Sequence, residues 1–138
     1  MFIQQMQATV YPPDGSHWLT ETTKHPSWEA VEAAIRRLDR NRFPFIWLFC
    51  EADAADTEVP NFTVMGGQGA YIFGPEDTLF YDERHSGEMV DVWLSDQGAS
   101  FPDWQVCHDL DVVVRATRLF AETGQLDPSL KWKTVQHR

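Results

Sequence analysis

Lysine and arginine are almost missing from the middle of this chain. Between Phe43 and Val114 there is one basic residue, Arg84, against fourteen acids, a charge of −13 within a chain of 138 residues. Direct binding of DNA or RNA needs clustered Lys and Arg, because affinity comes from displacing counterions from phosphates. This composition therefore argues against a nucleic-acid ligand. Cysteine is scarce as well. The two present, Cys50 and Cys107, lie far apart and fit no metal or redox spacing, so they read as reduced thiols of a cytosolic protein. Long apolar runs are missing. The longest, Phe43 to Cys50, is interrupted by Pro44 and falls well short of the roughly 20 residues that cross a bilayer. The segment Met1 to Gly15 has no basic stretch leading into an apolar run, which argues against a secretory signal peptide. No repeat, low-complexity tract or Gly/Ser/Pro linker divides the chain, and residues 1–138 are expected to form a single domain.

What is present suits a packed fold. Apolar residues make up 43% and aromatics 13% of the sequence, enough for a core and too much for wholesale disorder. The flanks of the acidic middle differ from it. The segment before Phe43 holds five acids and five bases, and the tail after Val114 holds two acids and five bases. A field of one sign focused on one region steers a partner of the opposite sign; acidic loops that keep a protein soluble are the competing explanation.

Local patterns predict the elements. Phe2 to Tyr11 reads as a strand ended by a turn at Pro12-Pro13-Asp14-Gly15. Ser27 is placed to cap a helix whose apolar face is Trp28, Val31, Ile35 and Leu38, with Glu32 and Arg36 paired on the other side. That helix should fade near Asp39 to Asn41. Phe45 to Cys50 suits a central strand covered on both faces. Asn61 to Met65 and Ala70 to Phe73 read as a hairpin joined by Gly66-Gly67-Gln68-Gly69, followed by a turn at Gly74 to Asp77 and strands at Thr78 to Tyr81 and Met89 to Leu94. Asp109 caps a second helix with Val112, Val113, Ala116, Leu119 and Phe120 inward, ion pairs at both ends, and Gly124 as its stop. Strands grouped between two helices favour an α+β fold, a mainly antiparallel sheet with the two principal helices packed on one face.

The chemical motifs are weak. Gly66 to Gly69 lacks the Lys-Ser/Thr pair and following helix of a phosphate loop, and reads as a hairpin turn. Cys107-His108-Asp109 are sequence neighbours, whereas catalytic triads are assembled in space from separated segments. The five His residues, His17, His25, His85, His108 and His137, give no pair on one helix face. His85 with Asp82 and Glu83 is the one combination that could in principle bind a metal, and a polar hairpin loop is the favoured explanation because nothing fixes a geometry. No catalytic, cofactor or metal residue is therefore expected. Trp28, Trp47, Trp93 and Trp132 read as core or sheet-packing residues. Trp104, in a loop from Ser100 to Gln105 beside acids, suits either packing or an interface anchor.

Several of these segments together resemble a family. Ser27-Trp28-Glu29-Ala30-Val31 opens a helix ending in Leu38-Asp39. Phe62-Thr63-Val64-Met65-Gly66-Gly67-Gln68-Gly69-Ala70-Tyr71 follows, then Phe120-Ala121-Glu122-Thr123-Gly124, Leu126-Asp127-Pro128 and the lone Trp132. The pattern is similar to the Imm-one immunity proteins of bacterial polymorphic toxin systems, and spans Ser27 to Trp132. It departs at Ser95-Asp96-Gln97-Gly98, where a Gly-Gly or Gly-Gln turn would be expected. The resemblance implies an α+β fold, no enzymatic activity, and a cognate toxin, often a deaminase-type domain acting on nucleic acid. Trp28, Gly66, Gly67, Gly124 and Trp132 would then be scaffold. Charge and loop position, independently of the family, single out Glu76, Asp77, Asp82, Glu83, Asp96, Gln97, Asp103 and Trp104 for partner binding. The competing classes are a small metal-dependent hydrolase using Asp82, Glu83 and His85, and an adaptor module without a toxin partner.

Overall fold

The apolar run after Pro44 forms the middle of a sheet. A computed structural model describes residues 1–14, 17–54, 58–83, 88–94 and 97–134, with residues 92–94 and 97–99 described by backbone alone. In chain order its elements are β1 (Gln5–Val10), β2 (Leu19–Lys24), α1 (Trp28–Arg37), β3 (Phe45–Phe49), β4 (Phe62–Gly67), β5 (Ala70–Pro75), β6 (Thr78–Tyr81), β7 (Met89–Leu94), β8 (Gln97–Pro102), α2 (Leu110–Thr123) and β9 (Lys131–Thr134). A five-stranded antiparallel sheet runs β2-β1-β3-β4-β5, and β6-β9 and β7-β8 form two-stranded ladders beside it. This is an α+β fold with two helices on a mainly antiparallel sheet. No helix among the described residues is long and apolar enough to cross a membrane.

The helices begin and end where their local chemistry requires. The Ser27 hydroxyl accepts from the Ala30 amide at 3.1 Å and opens α1, satisfying a donor that has no intrahelical partner. The Asp109 carboxylate accepts from the Asp111 amide at 3.0 Å and opens α2. Gly124 closes α2 in the left-handed region, with φ 77°, a conformation that costs glycine little. Trp28, Val31, Ala34 and Ile35 of α1 and Val113, Ala116, Phe120 and Ala121 of α2 are buried against Met6, Ala8, Ile46, Leu48, Phe62, Val64, Tyr71 and Phe73 of the sheet. Phe120 links the layers, its ring 4.6 Å from that of Phe62. Fully burying one such side chain stabilises the fold by about 1.5–3 kcal/mol.

The β4–β5 hairpin turns on Gln68 and Gly69 alone, both at positive φ (52° and 83°), as a two-residue type I′ loop requires. Gly66 and Gly67, expected in the turn, are instead strand residues. The reason is a close backbone approach. A Cβ on Gly67 would stand 2.6 Å from the Asp39 Cα. Arg40 completes this junction, its amide donating to the Gly66 carbonyl at 2.9 Å and its Nε to the Gly67 carbonyl at 2.7 Å.

Other expectations are corrected. The central strand is covered on both faces only at its end: Ile46 and Leu48 are buried under the helices and Phe49 is buried on the opposite face, but Phe45 and Trp47 on that face are only half-buried. Helix α1 stops at Arg37, slightly earlier than expected, with Leu38 leaving the helical region at ψ 128° and its amide donating to the Ile35 carbonyl at 3.1 Å. Strand β2 carried no apolar alternation to signal it and is held by pairing with β1. Phe101 and Pro102, expected in a loop, end β8, and Asp103–Gln105 form a 3-10 turn. Arg115 turns away from the first turn of its own helix and bonds Asp127, its Nε 3.3 Å from Oδ2. The Glu32–Arg36 and Arg118–Glu122 pairs form at 2.8 and 3.3 Å.

Candidate functional site

The basic tail folds back onto the acidic middle. In the β6–β9 ladder Phe80 lies opposite Trp132, and Tyr81 opposite Lys131. Phe80 and Trp132 face inward and both pack on Phe73, at 5.3 and 5.7 Å between ring centroids. Strand alternation then turns Tyr81, Lys131 and Lys133 to the other face. There Lys131 donates to the Glu83 carboxylate. The Lys133 ammonium lies over the ring of Trp104, and the Trp104 ring meets that of Tyr81 edge-on at 5.3 Å.

A cleft of about 570 Å³ opens beside this ladder, between the end of β6, the Val106–Asp109 link into α2, and Ser129–Lys131. Asp82, Glu83 and Asp109 supply carboxylates to its wall. Backbone bonds hold the wall in place: the Asp82 amide donates to the Trp104 carbonyl at 2.7 Å, and the Asp103 amide to the Glu88 carbonyl at 2.8 Å. Tyr71 and Cys107 exchange backbone bonds at 2.9 and 2.8 Å, which ties the link into α2 to the edge of β5.

The Cys107-His108-Asp109 run spreads its side chains apart. The Cys107 thiol is buried and donates to the Asp109 carbonyl at 3.4 Å. Burial pushes its pKa up from the ordinary thiol value, so it holds its proton. The His108 Nδ1 lies 2.9 Å from the Gly69 carbonyl, and the Asp109 carboxylate is engaged as the cap of α2. Among the described residues no three His, Cys, Asp or Glu side chains are grouped to hold a metal ion; His85 lies outside them.

The residues expected at a partner interface divide into two groups. Asp82, Glu83, Asp103 and Trp104 gather at the C-terminal end of β6. Glu76 and Asp77 stand exposed in the turn that leads into β6, with Asp77 at φ 61°. A four-residue strand separates the groups by about 10 Å or more. Asp96 lies outside the described residues, and Gln97 is described by its backbone alone, paired with Leu94. Sequence reasoning missed two cleft residues, Asp109 and Lys131. Asp109 was absorbed by its capping role, and Lys131 reaches the site only through the β6–β9 pairing.

No family model, curated protein or solved structure matches this chain. Several positions that carry the immunity-protein resemblance are packed inside. Trp28 is 6% exposed. Trp132 lies half-buried, its indole donating to the Asp127 carbonyl at 3.1 Å. Gly66 and Gly67 form the tight junction with the Asp39–Arg40 backbone.

Proposed function

We propose that this chain is a cytosolic immunity protein that binds a cognate bacterial toxin domain and neutralises it by occluding its substrate site. The toxin is of a nucleic-acid-targeting, deaminase-like class, whose substrate groove must be basic. The observation that carries the reading is the acid-lined cleft at the end of β6, where Asp82, Glu83 and Asp109 stand beside the aromatic pair Tyr81 and Trp104. The carboxylates there steer Lys or Arg of the toxin toward the cleft, while the indole supplies contact area. The short motifs from Ser27 to Trp132 support the same class.

Co-expression with the product of the adjacent gene tests the reading. The expected result is a stable complex and relief of toxicity; neither complex nor rescue would sink it. Reversal of Asp82 and Asp103 to Lys is expected to slow association about tenfold or more at low salt, with the difference closing as salt screens the field. An unchanged on-rate would move the docking face away from this cleft. A hydrolase reading predicts instead a measurable activity lost on replacing His85.

A further inference from the structure

Among the described residues, the face of the five-stranded sheet opposite the helices is roofed in two places and only partly covered between them. The loop after β3 closes over Gln5, whose amide donates to the Ala52 carbonyl at 2.7 Å. Near β5, Ile72 packs with Val106 and with Val90 and Phe101 of the β7–β8 hairpin. In the gap, Phe45 and Trp47 project from the central strand, their rings 5.9 Å apart and parallel to within 9°. Two cavities, of about 320 and 490 Å³, meet at Trp47. One runs to Tyr11 and Trp18, the latter 56% exposed. The other passes Met65 to Val59, 61% exposed, and ends on Glu76 and Asp77. From β2 to β5 there are four strand spacings, about 19 Å, which matches about six residues of extended chain.

We propose that this groove docks an extended segment of a partner protein, apolar or aromatic along its length and carrying Lys or Arg at the end that meets Glu76 and Asp77. Trp18 and Val59 are large apolar side chains left exposed at the two ends of the groove, and exposed apolar surface rimmed by polar groups marks interaction sites when it is extensive. The charge gives the groove a direction. Its Tyr11–Trp18 end belongs to the N-terminal segment, where acids and bases balance, and its Val59–Glu76 end belongs to the segment of charge −13. A basic terminus is favoured at that second end alone. A second copy of the chain would bring its own net charge of −10 and meet a field of its own sign. The inference rests on the reading that the chain acts by binding another protein. It adds a contact distinct from the acid-lined cleft, at the opposite end of β6.

Selection of random peptides of about twelve residues on the full chain, then titration of the enriched peptides by fluorescence anisotropy, tests the proposal. The enriched peptides are expected to combine Leu, Phe or Tyr with Lys or Arg. Their Kd should rise about fivefold or more on Trp47→Ser and on Glu76→Lys, the loss that marks an anchor residue. The Glu76→Lys effect should shrink at about 0.5 M salt. Glu76 is an exposed turn residue, so its variant reports on binding even where Trp47→Ser disturbs the sheet. The proposal is overturned by any of four results: no enrichment, peptides without basic residues, an affinity that Glu76→Lys leaves unchanged from the native chain, or self-association of the full chain that Trp47→Ser abolishes. The immunity reading fails on a different result, the absence of complex and rescue with the toxin.

Discussion

The Lys133 ammonium lies 4.4 Å from the centroid of the Trp104 ring and 5.4 Å from that of Tyr81. Along the chain Lys133 belongs to a basic tail and Trp104 to an acidic middle; in space they are one cluster. Lys131, two residues earlier, bonds Glu83 in the same ladder. The negative middle is thus partly answered, beside the cleft, by the chain's own tail. Lys133→Ala is expected to cost about 0.5–1 kcal/mol in a urea unfolding curve, the worth of a cation over an aromatic face at a partly exposed site. The fluorine resonance of 5-fluorotryptophan at position 104 should shift in the same variant. An unmoved resonance would show that Lys133 does not cover Trp104.

Gly66 and Gly69 lie three residues apart, and the fold treats them differently. A Cβ on Gly66 would stand 2.1 Å from the Ala70 carbonyl oxygen, whereas a Cβ on Gly69 meets nothing within 4 Å. Gly66→Ala is therefore expected to destabilise the protein by about 2 kcal/mol or more, through backbone strain and the displaced hairpin. Gly69→Ala carries only the left-handed backbone term of about 1 kcal/mol. Urea midpoints of the two variants check the order. Equal losses would contradict the close approach at Gly66.

Asp127 is buried and organises the turn after α2. Its Oδ1 accepts from the Ser129 amide at 2.9 Å and the Ser129 hydroxyl at 2.6 Å, and its Oδ2 from Arg115 at 3.3 Å. The Ser129 hydroxyl, more than any other group, holds this carboxyl below its ordinary pKa of 3.8, against the opposing effect of burial. The folded state therefore binds the proton less readily than the unfolded chain. The stabilisation is present above pH 3.8 and is lost as pH falls through the lower folded value. Asp127→Asn should cost about 1–3 kcal/mol at neutral pH, and the two melting curves should converge in acid. A constant gap down to the lowest accessible pH would refute the assignment.

The two thiols should differ in reactivity. Cys107 is 4% exposed with a raised pKa, while Cys50 is only partly buried. Thiolate is the reactive form. In the native protein at mild alkaline pH, one thiol, Cys50, should be alkylated ahead of the other, and Cys107 should react on denaturation. Mass spectrometry of the labelled peptides decides it. Fast native labelling of Cys107 would mean that the link into α2 opens.

Local chemistry was enough to find both helices, their caps at Ser27 and Asp109, the stop at Gly124, and the central strand, because each is written in side chains within one turn or one strand of each other. Strand β2 was not legible. Five of its six residues are exposed, and an edge strand needs only a neighbour's backbone to pair with. The site was half legible for the same reason. Sequence alone determined that the middle is acidic and that Trp104 stands among its acids. Only the tertiary structure decided that Lys131 and Lys133 cover part of that region, and that Glu76 and Asp77 lie apart from Asp82 and Glu83. It also decided that Phe45 and Trp47 face away from the helices. These depend on which strand pairs with which and on which layer covers a face, relations between residues far apart in the chain that no local periodicity encodes.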